Sequence, residues 1–344
     1  MAPRLRDESD FRERPNKRGS RPRTKIRPEH ADARTGFVTG VDRGRYTALV
    51  DEGTPDERVV VAMRARELRR DRVVCGDRVD LVGDTSGDDG SLARIVRIQE
   101  RDTVLRRTAD DTDPYERIVV ANAHQLMIVT ALARPEPREG MIDRAVVAAY
   151  DAGMSVTLCL TKADLADPAP LREKYEPLGV TVIVTSMDDH DRSIGPLGPV
   201  RDQLDGKISV LVGHSGVGKS TLVNALVPDS TRATGHVNDV TGRGRHTSTS
   251  AVALRLPDGA GWVVDTPGIR SFGLAHVEPD RVLAAFDDLA DVSVDCPRGC
   301  THAVEAVDCA LDAWVDAAPP DERENRSVRV ASFRRLMAAR TATV

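Results

Sequence analysis

Aromatic side chains make up only 3% of this 344-residue chain. Its cores must therefore be built from Val, Leu, Ala and Ile, within a 40% hydrophobic content, and platforms for stacking bases are scarce. Cysteine is rare too: there are five, three of them between residues 296 and 309. That excludes a disulfide scaffold. No stretch approaches the roughly 18 uninterrupted apolar residues of a membrane span, and the first residues lack the apolar run of a secretory signal. An excess of one charge is also missing, with 49 Lys and Arg against 54 Asp and Glu. The whole molecule is therefore not a polycation that coats nucleic acid. These absences describe a cytoplasmic protein without a membrane partner. At about 100–200 residues per domain it has two or three domains.

The charge is unevenly spread. Residues 1–35 hold eleven Lys or Arg against six acids and few apolar residues, which reads as a disordered basic arm. Such an arm either keeps the chain soluble or neutralises RNA phosphates. Residues 36–107 form a different block. Short, β-branched runs at 36–41, 45–50, 58–62, 78–82 and 92–98 are separated by Gly and Asp clusters. Five strands at this spacing predict a small barrel of the OB-like kind, a size suited to nucleic acid or protein docking. Its only aromatics, Phe37 and Tyr46, are candidates for its core.

From residue 108 to 273 longer strands alternate with helical stretches, as in a doubly wound α/β domain. Residues 208–212 read as a buried strand. Gly213, His214, Ser215, Gly216, Val217, Gly218, Lys219, Ser220 and Thr221 follow and fit G-x-x-x-x-G-K-[ST], and residues 221–226 read as a helix. Strand, glycine-rich turn and helix start aim backbone N–H groups at anionic oxygens. Lys219 would reach the β- and γ-phosphates and Ser220 would hold Mg²⁺. Thr161, Lys162, Ala163 and Asp164 end another apolar run. In GTPases a tetrapeptide of this type reads guanine: the carboxylate accepts N1–H and the exocyclic amine, and the Lys stem covers the base. Ser186, after the strand at 180–185, stands where a small residue's backbone contacts the guanine oxygen. Asp265 and Gly268, in a D-x-x-G after the strand at 262–264, put a carboxylate near Mg²⁺ and an N–H near the γ-phosphate. Between the phosphate loop and this D-x-x-G, residues 242–249 form a Gly- and Arg-rich segment without hydrophobic periodicity. Thr247 there is a switch ligand for Mg²⁺, with Thr249 the other candidate.

Base motif, small residue, phosphate loop, switch threonine and D-x-x-G thus run in circularly permuted order. The same pocket still forms, because ligand sites of open α/β sheets gather at the carboxyl ends of strands. With residues 119–122, Gln125, Asp143, Arg144, 244–247 and 265–270, the chain resembles the ribosome small-subunit-dependent GTPase family, RsgA or YjeQ, over about residues 36–340. The resemblance implies a multidomain fold: an OB barrel that docks on ribosomal RNA, a central α/β circularly permuted P-loop GTPase domain, and a small, mostly helical C-terminal zinc domain. It implies a GTP phosphohydrolase that binds GTP and GDP. It also implies, as partners, the small ribosomal subunit and its rRNA, contacted by a monomer during late subunit maturation. Arginines within 64–70 would supply phosphate contacts. The family more often has Asn where this chain has Thr161, whose hydroxyl gives one hydrogen bond to the phosphate loop. Ile269 occupies the place where many GTPases carry a water-orienting Gln, and the resemblance is consistent with His246 as the catalytic group instead.

The remaining motif lies in residues 274–344. Cys296, Cys300, His302 and Cys309 offer three thiolates and an imidazole within fourteen residues, a closed tetrahedral set for one structural Zn²⁺. The gaps of three, one and six residues depart from the family's usual spacing without removing a ligand. Cys75 and Cys159 read as small buried hydrophobes. Flanking segments 279–289 and 325–340 read as helices. The second carries Arg326, Arg329, Arg334, Arg335 and Arg340, either a ribosome contact or a solvated face. Two other functions share parts of this pattern: a GTP-responsive RNA-binding module with negligible turnover, and a P-loop ATPase or kinase, against which Asp164 argues.

Overall fold

The structure is a computed structural model that describes residues 30–68, 71–108, 116–187, 193–227, 251–266, 272–274 and 277–341. The five barrel strands are β1 (Arg34–Asp42), β2 (Arg45–Val50), β3 (Arg58–Arg64), β4 (Arg78–Gly83) and β5 (Ala93–Ile98). They pair in the order β1-β2-β3-β5-β4, and β4 returns to β1, closing the ring. Alternate residues of each strand point inward, so Val38, Ala48, Val60, Val79, Leu81 and Ile95 fill the barrel. Aliphatic side chains suffice for so small a core, as the scarcity of aromatics requires. Tyr46 joins it, whereas Phe37 turns outward and packs against Trp262 of the next domain at 5.1 Å.

The central strands are β6 (Val104–Arg107), β7 (Arg117–Ala121), β8 (Gln125–Ala131), β9 (Ser155–Thr161), β10 (Thr181–Val184), β11 (Ser186–Met187), β12 (Ile194–Gly195), β13 (Lys207–Val212), β14 (Val252–Arg255) and β15 (Gly261–Asp265). The main sheet runs β10-β9-β8-β13-β15-β14, parallel except for β14. Every residue of β8 is buried, because the sheet is covered on both faces. Leu126 and Ile128 point into one core, Met127, Val129 and Ala131 into the other. Chain order proceeds outward from β8 on one side and begins again at β13 on the other. The switch point between β8 and β13 is where a ligand crevice forms in such sheets. The helices α1 (Glu139–Asp151), α2 (Ala169–Tyr175), α3 (Gly198–Leu204) and α4 (Lys219–Leu226) connect these strands.

Barrel and sheet are joined by backbone as well as side chains. Gly40 pairs with Val252, so β14 meets β1. The β6 strand, at the end of the 36–107 block, pairs with β7 rather than with the barrel. At this junction Asn122 donates Nδ2 to the Gly76 carbonyl and accepts from the Asp102 N–H, both at 2.9 Å. Gly76 has φ +89°, and a methyl group there would lie 2.0 Å from the Ala121 carbonyl oxygen. Only glycine fits that approach.

The C-terminal helices are α5 (Pro279–Leu283), α6 (Asp287–Ser293), α7 (Ala310–Asp316) and α8 (Arg323–Thr341). The expected single helix over 279–289 is two, broken at Phe286. Its backbone leaves the helical region so that the ring can wedge edge-on against Tyr150 and Phe333, at 5.3 and 5.5 Å. Burial of that ring outweighs one continuous turn of helix. The arginines of α8 also depart from the open basic face considered above. Arg329 grips Asp288 with two nitrogens and the Pro177 carbonyl, Arg334 grips Asp312, and Arg326 lies 4.6 Å from the Trp314 ring centre. Arg335 donates to the Lys174 carbonyl and lies over Tyr175. Planar guanidinium groups suit such bidentate and stacked roles.

Candidate nucleotide site and metal centre

The sheet brings the base motif and the phosphate loop together at the carboxyl ends of β9 and β13. Thr161 closes β9 with its side chain buried, and its Oγ donates to the Val217 carbonyl at 2.6 Å. Lys162 follows in the left-handed region at φ +60°. Its ammonium donates to the Gly216 carbonyl at 2.9 Å and also to the Arg134 carbonyl. The Ala163 N–H bonds the Thr185 carbonyl at 3.1 Å, and Asp164 accepts from the Met187 N–H at 3.1 Å. These contacts hold the 185–187 strand end against the base motif. Ser186 itself pairs with Gly195 across the β11–β12 ribbon.

The phosphate loop leaves β13 at Gly213, where a Cβ would meet the Val129 carbonyl oxygen at 2.5 Å. The loop therefore packs directly on β8. His214 and Ser215 lead outward, with His214 Nδ1 3.0 Å from the Ser215 carbonyl. Val217 is buried beneath the loop and Gly218 caps α4. Lys219 donates to the Asp265 carboxylate, joining the phosphate loop to the start of the D-x-x-G. Ser220 and Thr221 stand exposed in the first turn of α4. Thr266 is buried and fixes this corner by donating to the Leu211 carbonyl at 2.8 Å. His246, Thr247, Thr249, Gly268 and Ile269 lie outside the described residues, as do residues 1–29, Arg69 and Arg70.

Two contributors were not singled out by motif. Arg134 and Pro135 follow β8, and the Arg134 carbonyl and Pro135 ring flank Lys162 and Gly216. Only the folded sheet, which puts them beside the switch point, reveals them; no residue-type pattern does. Gln125, at the opposite ends of the strands, is fully buried and bonds Ser209, Gln203 and Thr157. That network satisfies every polar partner it buries and ties β8, β9 and β13 together. Arg144, on α1, donates to the Phe272 carbonyl at 2.8 Å and so holds the chain just beyond the D-x-x-G.

The four metal-ligand candidates converge as well. Their donor atoms all lie within 4.8 Å of one another. Cys296 Sγ is 3.6 Å from His302 Nδ1 and 4.0 Å from Cys309 Sγ, and Cys309 Sγ is 3.8 Å from His302 Nδ1. Bonds of about 2.0–2.3 Å to one tetrahedral ion set donors roughly 3.5–3.8 Å apart, so the residues fit a metal ion. The Ala310 and His302 N–H groups point at Cys296 and Cys300 sulfur, at 3.2 and 3.4 Å. Arg334 holds the His302 carbonyl at 3.0 Å. Burial pushes the Cys296 thiol up to about 11 and the His302 imidazole below its ordinary value. Cys75 and Cys159 are buried and stand outside this group of four, and burial lifts both thiols to about 12, which leaves them inert.

A phosphate loop hydrogen-bonded to a guanine-type base motif, on strands of permuted order, defines a circularly permuted P-loop GTP hydrolase. A model of the RsgA GTPase family matches residues 98–275, and the chain belongs to that family. The small ribosomal subunit biogenesis GTPase RsgA of Alcanivorax borkumensis is 33% identical over 313 residues, spanning 88% of this chain and 85% of the relative. The protein of that name from Pseudomonas aeruginosa is 36% identical over 280 residues, 78% of this chain and 76% of the relative. Among solved structures, YjeQ from Thermotoga maritima is similar with a TM-score of 0.61 at 25% identity, over 88% of this chain and 98% of that one. YloQ, a circularly permuted GTPase, shares the fold with a TM-score of 0.60 at 22% identity, over 92% and 99% of the two chains.

Proposed function

We propose that this GTPase acts on the small ribosomal subunit during late maturation, hydrolysing GTP slowly alone and rapidly when the subunit orders its switch segment. The observation that carries the nucleotide assignment is the direct bonding of Thr161 and Lys162 to Val217 and Gly216. The partner assignment follows the relatives' names over more than three quarters of the chain. In this reading residues 36–107 face rRNA with the basic arm at 1–35, residues 108–273 turn over GTP, and residues 274–344 form the zinc domain.

Each residue of the site has a task. Asp164 reads the guanine edge while Lys162 covers the base, and Ser186 offers its backbone to the guanine oxygen. The backbone of residues 213–218 with Lys219 cradles the phosphates. Ser220 and Thr247 hold Mg²⁺, which when bound neutralises developing charge on the phosphates. Asp265 would help hold that ion, and Gly268 would offer its N–H to the γ-phosphate. Ile269 is apolar and cannot orient water, so His246 takes that role. Cys296, Cys300, His302 and Cys309 hold one structural Zn²⁺, and four protein ligands leave no open position for catalysis.

The test is phosphate release at saturating GTP, with and without purified small subunits. Turnover that rises strongly with subunits supports the reading. Negligible turnover under both conditions would instead establish a GTP-responsive RNA-binding module.

A further inference from the structure

The outer face of the C-terminal helices is apolar and acidic at once. Val307 is 80% exposed and Val304 71%. Both sit in the loop between His302 and Cys309, whose side chains meet at 3.8 Å. Pinned at both ends, that loop presents its valines to solvent and cannot fold them inward. Beside it a groove of about 490 Å³ opens between α7 and α8, half its lining aliphatic (Val304, Val315, Val330, Ala331 and Ala338) and half polar, with Asp312 and Asp316 beside Arg334 and Arg335. Exposed aliphatic side chains bordering a partly aliphatic groove mark a contact surface.

The charges around the groove say what fits it. Residues 287–324 contain eleven Asp or Glu and two Arg. Glu305, Asp308 and Asp316 are exposed, and none has an ion-pair partner among the described residues. Among the α8 arginines, Arg329 and the groove-lining Arg334 are engaged by Asp288, Asp312 and backbone carbonyls. Phosphate backbones require Lys and Arg, so this rim repels RNA. It complements a cationic protein segment.

We propose that the α7–α8 groove docks a Lys- and Arg-rich protein segment through an aliphatic anchor. The inference rests on the small-subunit reading and divides the labour within it. The barrel side meets rRNA, and the C-terminal face meets a basic protein of the same particle.

Full-length protein carrying Glu305→Lys and Asp316→Lys is compared with wild type for co-sedimentation with purified small subunits and a non-hydrolysable GTP analogue. About tenfold weaker binding is expected, since two rim charges now repel the partner. Unchanged or tighter binding overturns the proposal, tighter binding being the result an RNA partner would give. A second measurement leaves the charges intact: benzoylphenylalanine at Val307 is photo-activated on the particle. Cross-links to a ribosomal protein support the groove as a protein dock. Cross-links to rRNA alone, or none, overturn it. Wild-type protein that fails to co-sediment removes the small-subunit reading and this inference together. Wild-type binding with an indifferent variant removes only this inference.

Discussion

The Thr161 hydroxyl lies 2.6 Å from the Val217 carbonyl oxygen and joins the end of β9 to the phosphate loop. Both residues are buried, so no water takes over if the donor is lost. An unpaired buried carbonyl costs about 1–3 kcal/mol. Thr161→Val is nearly isosteric and removes only the donor. It should weaken both GTP and GDP binding roughly 5- to 150-fold, read by titration of a fluorescent GDP analogue. Thr161→Asn restores a donor and should bind as tightly as wild type. A Val variant with wild-type affinity would show that this bond does not preorganise the loop.

Asp164 accepts from the Met187 N–H at 3.1 Å, so its carboxylate is held at the 185–187 strand end, where the proposed guanine site lies. An amide at this position would set a donor against the donors of guanine. Asp164→Asn should cost about 1–3 kcal/mol of GTP affinity with ATP affinity unmoved. Competition of GTP and ATP against one labelled nucleotide measures both. Wild-type protein that accepts ATP as readily as GTP would refute the base assignment.

Gly76 holds the barrel to the α/β domain at a point with no room for a side chain. Ala at φ +89° is strained by about 1–3 kcal/mol, and its methyl must also displace the Ala121 carbonyl. Gly76→Ala should destabilise the protein by roughly 3 kcal/mol in total. A thermal melt beside wild type reads this, and an unshifted midpoint would mean that the junction opens freely. Asn122→Ala, which strips the Gly76 carbonyl and the Asp102 N–H of their side-chain partner without a clash, should cost less, about 1 kcal/mol.

The barrel was legible in the sequence because its strands are short, β-branched and separated by Gly and Asp clusters; β2 spans the run read from the sequence. The meeting of residues 161–164 with residues 213–219 was legible because the chemistry proposed for them demands fixed residue types at fixed spacing. Phe37 shows where that legibility ends. An aromatic in a barrel strand reads as barrel core, yet it packs on Trp262, more than two hundred residues away. Arg326, Arg329, Arg334 and Arg335 of α8 show the same limit. Sequence shows a basic helix, but whether a guanidinium meets water or a carboxylate depends on which element folds against it. Asp288 and Asp312 lie on α6 and α7, and no local pattern announces that they face α8. Arg134 is invisible for a further reason: it contributes its carbonyl, which any residue type could supply.

The metal centre predicts a stoichiometry and a dependence. Elemental analysis of purified protein should find one zinc per chain. Stripping it should loosen the 296–316 region while the sheet stays folded, because metal binding is coupled to folding of the segment that carries the ligands. Cys309→Ser, the buried ligand, should lower zinc content well below one and expose Trp314 to added quencher. Full zinc occupancy in that variant, or less than half an equivalent of any metal in wild type, would contradict a four-ligand site.

Control of hydrolysis is the remaining prediction. Ile269 follows the D-x-x-G where many GTPases place a Gln, and an aliphatic side chain cannot position water. His246 stands next to the candidate Mg²⁺ ligand Thr247 in a Gly- and Arg-rich segment with no hydrophobic periodicity to order it. Catalysis of this kind is mostly positioning and electrostatics, so turnover should be low until a partner orders that segment. His246→Ala should therefore remove most of the turnover stimulated by small subunits, about a hundredfold or more if the His is the group that positions water. GTP affinity should change little, because the phosphate loop and base motif are untouched. Intrinsic turnover, already slow, should fall far less. Phosphate release by both proteins, with and without subunits and at saturating GTP, separates these quantities. Stimulated turnover that survives the substitution would move the water-positioning role to another residue of the switch segment or to the partner itself.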